Sequence, residues 1–427
     1  MLSTARMQLQ PDEQAILMLC SQLGLPSSKE SGTPVPFNLR EWNRLVRTLS
    51  QSPVANPGGL LGMEASVIAR DLGIATSEAE RIARLLERGG LLAIELERLA
   101  SRGIWATTRA SADYPKRLRT TLRESAPAVL FGSGEIALAK QEAIAIVGSR
   151  DVDGAGKDFA RWVSRWAVQN GLTVVSGAAR GVDKIAMATA LELGGTVIGV
   201  PADSLERMVR LSDVRNAIEA GLLLLLSPYH PKTSFSVGTA MGRNKIVYSL
   251  SNCALIVSSG FQEGGTWTGA MEALRAKWVP IFVRADDSVP IGNRALLRGG
   301  ALAFPYRTEE DAGTFSDLIA DASGLASARW QGRAVSEGAP HYESGSSLEV
   351  PAGEAKAGEV VWEGRQGQAL SPEGCLTPAP HLGPSKRGQQ NGGRRKDGKS
   401  GRKKRQASPG QLHLDSPQDS VSRAQGG

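Results

Sequence analysis

The sequence predicts an α/β protein: a doubly wound parallel sheet, preceded by a small helical domain and followed by a low-complexity tail. Three observations carry this. Between residues 143 and 304, short continuous apolar runs alternate with stretches of helical periodicity, as expected of buried parallel strands joined by crossover helices. Ahead of them, residues 9–99 show amphipathic helical spacing without a strand-like run. From Ala322 onward the chain turns to Gly, Ser, Pro, Gln and charge, with too few apolar residues to bury a core, so disorder is expected. The resulting boundaries are 1–102 for the helical domain, 103–321 for the sheet domain and 322–427 for the tail.

The elements follow in chain order. Helices are expected at Asp12 to Leu23, Leu39 to Leu49, Met63 to Leu72 and Ser77 to Glu87, the last capped by Thr76 or Ser77 with Glu80 one turn on. The stretch Ala69 to Gly90 has the outline of a helix-turn-helix or helix-hairpin-helix DNA reader, but no base-reading face stands out and a packing role is preferred. Strands are expected at Ile144 to Val147, within LTVVSG, at Thr196 to Val200, Leu222 to Leu226, Ala254 to Val257 and Val279 to Val283, with an edge element near Ala301 to Phe304. Helices from Asp183 to about Leu193 and from Gly238 to Leu250 fall between them. The whole reads as one doubly wound sheet, whose ligands bind beyond the carboxyl ends of the strands.

Two successive strands, AIAIVGSR and LTVVSGAARGVD, each open into a Gly/Ser/Arg loop at the same edge. Gly148 and Ser149 lack bulk, so backbone N–H groups can approach an anion closely, and the following helix adds the positive end of its dipole. Arg150 brings an always-charged planar fork suited to phosphate oxygens. The second loop repeats the design with Ser176, Gly177, Arg180 and Gly181, and Asp183 stands where a carboxylate can cap a helix. A third loop-to-helix passage, GFQEGGTWTGAMEALRAK, contributes Gly264, Gly265 and Thr266. Arg150, Arg180, Asn244 and Thr266 are expected around one crevice that binds phosphate.

Composition narrows the chemistry. Cys20, Cys253 and Cys375 are far apart and odd in number, which suits neither a disulfide framework nor a zinc site. Of the four His, only His230 precedes the tail. No catalytic constellation, metal or cofactor is therefore expected. No stretch of about 18 apolar residues occurs, and Met1 to Gln10 lacks a signal peptide's apolar core, so a cytoplasmic protein without membrane insertion is expected. The net charge is +7, yet Lys386 to Gln406 alone holds ten Lys/Arg and one Asp, leaving the rest of the chain close to neutral. An anion site on the body must then be a local patch of Arg150, Arg180, Arg243 and Lys245. The basic run itself reads either as a nucleic-acid tether acting by counterion release or as a solubilising tail.

The motifs in register resemble the DNA-processing protein A family, also called DprA or Smf. They are DYPKRLRTTLRESAPAVLFGSG (Asp113 to Gly134), AIVGSR, VVSGAARGVD with Ala190 to Thr196 downstream, and Arg243-Asn244 in MGRNKIVYSLS. The resemblance spans about Gly103 to Pro305. It implies a Rossmann-like domain that holds single-stranded DNA and, in the family, helps load the recombinase RecA during natural transformation. Gly148, Ser149 and Arg150 match the family's first phosphate loop, and Ser176, Gly177 and Gly181 its second. Arg243 and Asn244 match its Arg-Asn-Arg segment, with Lys245 in place of the last Arg. Where members often carry Phe-Pro ahead of that segment, with the Phe as a base-stacking platform, this chain has Ala240 and Met241. Phe235 could replace it only if its loop folds back. GGTWTGA (Gly264 to Ala270) stands where many members have Ser-Gly-x-x-x-Thr-Ala, a divergent form in which Trp267 is either a second stacking candidate or, as is commoner for a Trp at a helix start, a core residue.

The competing reading is a nucleotide-binding enzyme or sensor, similar to the phosphoribohydrolases with Pro-Gly-Gly-x-Gly-Thr-x-x-Glu. Here Glu263, Trp267 and Met271 occupy three of those positions, Thr268 fits, and Glu272 comes one residue late, about 100° around a helix from the required face. Whether RecA is bound, and whether the chain forms a homodimer, stays open at this level.

Overall fold

The computed structural model describes residues 9–26, 32–306 and 312–330. Five helices come first: α1 (Pro11–Cys20), α2 (Leu39–Ser50), α3 (Ala65–Leu72), α4 (Thr76–Leu86) and α5 (Gly89–Ala100). The sheet region then reads β1 (Trp105–Thr108), α6 (Lys116–Leu122), β2 (Val129–Ser133), β3 (Ala143–Gly148), α7 (Gly154–Gln169), β4 (Thr173–Ser176) and α8 (Val182–Glu192). It continues with β5 (Val197–Gly199), α9 (Leu205–Met208), α10 (Ser212–Glu219), β6 (Leu223–Ser227), α11 (Val237–Ser249) and β7 (Cys253–Ser258). Last come α12 (Gly264–Ala276), β8 (Ile281–Val283), α13 (Ile291–Arg298), β9 (Leu302–Ala303) and α14 (Phe315–Trp330).

The strands form one sheet in the order β1-β2-β6-β5-β4-β3-β7-β8-β9. Pairing from β6 to β9 is parallel throughout, and β1–β2 and β2–β6 are antiparallel. Strand side chains alternate between faces, and both faces are covered. Ile144, Ile146, Val174 and Leu255 pack with Ala160 and Val163 of α7 and Ala186 of α8. Ala145, Val147, Val175 and Ile256 face Ile246 and Val247 of α11 and Ala270 and Ala273 of α12. Burial on both sides explains why these strands are continuous apolar runs.

The N-terminal helices are not a detached unit. Leu17, Met18, Trp42 and Leu85 belong to the same buried cluster as Val129 and Phe131 of β2. Buried Arg88 donates to the carbonyls of Met18, Ser21, Leu23 and Leu85, supplying partners that the end of α1 would otherwise lack.

Several sequence expectations need correction. The cap of α4 is Ala75 and not Thr76 or Ser77, and it makes no side-chain hydrogen bond. Helix α1 ends at Cys20, short of Leu23, and α5 and the antiparallel pair β1–β2 went unforeseen. Helix α14 runs to Trp330, so a boundary at Asp321 falls inside a helix. The rest of the expected tail, with its basic run at Lys386 to Gln406, lies outside the described residues. None of the described helices is long and apolar enough to cross a membrane.

Candidate nucleic-acid interface

From β3 the chain steps outward through β4, β5 and β6, then returns to the other side of β3 for β7, β8 and β9. The direction of winding therefore reverses between β3 and β7. At such a switch point the loops leaving two neighbouring strands diverge and open a crevice. One of about 460 Å³ lies there. Its walls are Gly148, Ser149 and Arg150 after β3, Arg243 and Asn244 on α11, and Gly264, Gly265 and Thr266 opening α12. These are eight of the residues singled out in the sequence.

The first loop is fixed to its neighbour strand. The Ser149 N–H donates to the Ser258 carbonyl at 2.9 Å, and the Ser149 hydroxyl accepts from the Asp151 N–H at 3.2 Å. Asp153 caps α7 by accepting from the Gly156 N–H at 2.7 Å. Arg150 is left exposed.

The second loop has a different place from the one its motif suggested. Ser176 is fully buried and its hydroxyl donates to the Ile146 carbonyl at 2.7 Å, so it joins two strands and does not face the crevice. Gly177 lies directly against the Arg243 guanidinium, and any Cβ there would collide with it. Gly181 has φ +77° and packs on the carbonyls of Ser149 and Arg150. This loop is the platform beneath the first. Arg180 is exposed but does not line the crevice, and neither does Lys245.

Helix α11 starts at a capping box in which the Ser236 hydroxyl accepts from the Thr239 N–H at 3.0 Å and the Ser236 N–H donates to Thr239 Oγ1 at 2.9 Å. One turn on, Arg243 reaches under the crevice to within 3.7 Å of Asp183, the second residue of α8. Asp183, expected as a cap, accepts from the Ala179 N–H at 3.4 Å and is chiefly the counter-ion of Arg243. Burial lifts the Asp183 carboxyl above its ordinary range and lowers Arg243, while each charge opposes the other's shift. The Arg243 Nε has no hydrogen-bond partner and the residue lines the crevice. Asn244 donates from Nδ2 to the Gly265 carbonyl at 3.0 Å, tying α11 to α12.

The 228–236 loop does fold back. The Phe235 N–H donates to Asp203 Oδ1 at 3.1 Å, and the Tyr229 hydroxyl donates to the Thr239 carbonyl at 3.0 Å. Phe235 therefore stands at the crevice, 48 % exposed, with the Arg150 guanidinium 5.2 Å from its ring centroid. This distance suits a cation–π contact. Trp267 is half-buried against the α11–α12 core and does not line the crevice.

Three further features bear on the chemistry. The start of α12 has no side-chain cap at Glu263, so its first turn presents uncapped backbone N–H groups and the positive end of the dipole. Glu272, the carboxylate of the enzyme-like reading, is exposed and lies outside the crevice lining. His230 is half-buried with its Nδ1 accepting from the Lys232 N–H and its ring edge-on to Phe131. Among the described residues no three His, Cys, Asp or Glu converge as metal ligands.

Fold and site together define a doubly wound α/β protein with a crevice, lined in part by Arg150 and Arg243, at its topological switch point. The family model described as DNA recombination-mediator protein A matches residues 105–311, and this segment is similar to the DprA/Smf family. The DNA processing protein DprA of Bacillus subtilis (strain 168) is 30% identical over 174 residues, covering 40% of this chain and 58% of that protein. Protein Smf of Escherichia coli (strain K12) is 29% identical over 160 residues, covering 36% and 41% respectively. The chain thus spans about half the length of the curated relatives it matches. The X-ray structure of DprA from Streptococcus pneumoniae aligns with a TM-score of 0.50 at 20% identity, over 74% of this chain and 99% of that one, a likeness of fold.

Proposed function

We propose that this protein is a non-enzymatic DNA-processing protein that holds single-stranded DNA in the β3–β7 crevice, acting in DNA uptake or recombination in the cytoplasm. The carrying observation is the convergence of Arg150, the uncapped start of α12 and the half-exposed Phe235 on one opening. A phosphate is attracted by the first two, and the ring offers a sequence-tolerant surface for the adjoining base. The match of residues 105–311 to the family model supports the same reading. Arg180 and Lys245 extend the positive field outside the crevice, while Ser176, Gly177 and Gly181 hold the phosphate loop in shape. Protection of single strands and assistance to RecA, and self-association into a homodimer, belong to this reading as its finer parts. The enzyme-like alternative gains nothing from Glu272, which faces solvent.

Fluorescence anisotropy with a labelled oligo-dT tests this. Two full-length proteins are compared, both with the ten Lys and Arg of 386–406 changed to Gln, one of them also carrying Arg150→Ala. Binding by the first and marked weakening in the second supports the proposal; equal affinity in the two counts against it.

A further inference from the structure

Across the crevice from β3, the loop after β7 carries an aromatic residue that the phosphate-binding reading does not use. Phe261 is 44 % exposed, an unusual place for a ring beside polar loops. It is not loosely held. Its ring meets that of Trp267 edge to face, with centroids 5.3 Å apart and planes at 72°, and Trp267 in turn packs on the core between α11 and α12. The backbone beside it is strained: Gln262 has φ +55°, the left-handed region that a residue with a side chain enters at a cost. Phe261 stands just outside the crevice lining, between Gly260 and Glu263, which both belong to it. The loop therefore holds an aromatic surface at the crevice mouth that packing within the chain leaves half uncovered.

We infer that Phe261, backed by Trp267, is a second base-stacking platform for single-stranded DNA, at the β7–α12 lip of the crevice. The inference rests on the proposed function above. Phe235 stands beside Arg150 and Phe261 three residues before the start of α12, so a strand that runs from Gly148 to Arg150 out over the β7–α12 loop would meet a second ring there. Continuity with an anion site favours a nucleobase over an apolar protein segment as occupant. Two platforms around one phosphate would also give the complex a dinucleotide as its smallest unit. The half-burial of Trp267 makes it a supporting residue, while Phe261 is the one that touches the base.

The test measures binding of the full-length protein to oligo-dT and to an abasic tetrahydrofuran oligomer of the same length, which keeps the phosphates and lacks bases. Phe261→Ala is expected to weaken oligo-dT binding roughly 5- to 150-fold, the range that loss of one base–aromatic stack implies, and to leave the abasic oligomer unaffected. Phe261→Trp should keep the affinity and add to the emission of the eight native Trp a component that oligo-dT quenches and the abasic oligomer does not, a quenching that wild type lacks. Unchanged oligo-dT affinity in Phe261→Ala overturns the inference, and so does an equal loss for both oligomers, which would mean that Phe261 only shapes the loop. Failure of the wild-type protein to bind oligo-dT at all would instead defeat the proposed function, and this inference with it.

Discussion

Arg243 and Asp183 face each other at 3.7 Å beneath the crevice, each side chain less than a tenth exposed. The guanidinium keeps its proton under all ordinary conditions, so the carboxylate remains as its counter-ion. Much of the Arg243 charge is therefore balanced internally, and its guanidinium braces the second loop through Gly177.

Asp183→Asn should destabilise the fold by about 3–5 kcal/mol, because it leaves a buried cation uncompensated. Combining it with Arg243→Met should recover more than half of that loss. Urea denaturation of the three proteins checks this; a simple sum of the single losses in the double variant would show that the two side chains do not interact.

Arg150 is exposed and makes the phosphate contact in this account. Arg150→Ala should weaken oligonucleotides of every sequence alike and reduce the salt slope of binding by about 0.7, one single-strand phosphate's share. Phe235→Ala should weaken binding roughly 5- to 150-fold with the slope unchanged. Salt titrations of both variants separate the two effects.

Asp286 supplies a pH dependence. The buried Arg284 guanidinium bonds to it and holds its carboxyl down at about 2 from an ordinary value of 3.8, helped by the Ser288 hydroxyl and N–H. With the folded value below the unfolded one, the unfolded chain takes up the proton first, so this contribution is present above about pH 4 and disappears as pH falls toward 2. The melting temperatures of wild type and Asp286→Asn should differ at pH 6 and converge between pH 4 and 2.

Ala178 and Gln262, at φ +54° and +55°, hold left-handed backbone in two loops around the crevice. Glycine enters this region without steric penalty. Ala178→Gly and Gln262→Gly should each stabilise the protein by about 0.5–1 kcal/mol after glycine's greater unfolded-state entropy is counted. Thermal melts would show the gain, and a loss in either variant would mean that its side chain makes a contact worth more than the strain.

The parallel strands were legible because burial on both faces leaves an unmistakable mark: Ile144 to Val147 and Ala254 to Val257 lie wholly within β3 and β7. Helix α5 was hidden by the Gly89-Gly90 pair with which it opens, which reads as a break. The antiparallel edge was hidden because β1 is only four residues long and half-buried at its start. At the site, residue type and order located the crevice, but not which polar groups face it. Ser176 and Ser149 look alike in sequence; one hydroxyl bonds to Ile146 inside the sheet and the other stands at the opening. That difference depends on strand register, as the pairing of Arg243 with Asp183 depends on how α11 crosses α8. Phe235 was legible as a candidate, while its arrival beside Arg150 required the loop anchored by Asp203, which no local pattern announces.

The most direct test of the crevice as the nucleic-acid interface is photo-crosslinking of the full-length protein to an oligo-dT carrying 5-iododeoxyuridine, followed by peptide mapping. Adducts are expected at Phe235 and in the 260–267 segment, reduced by Arg150→Ala. Adducts confined to the basic run at 386–406 would contradict it.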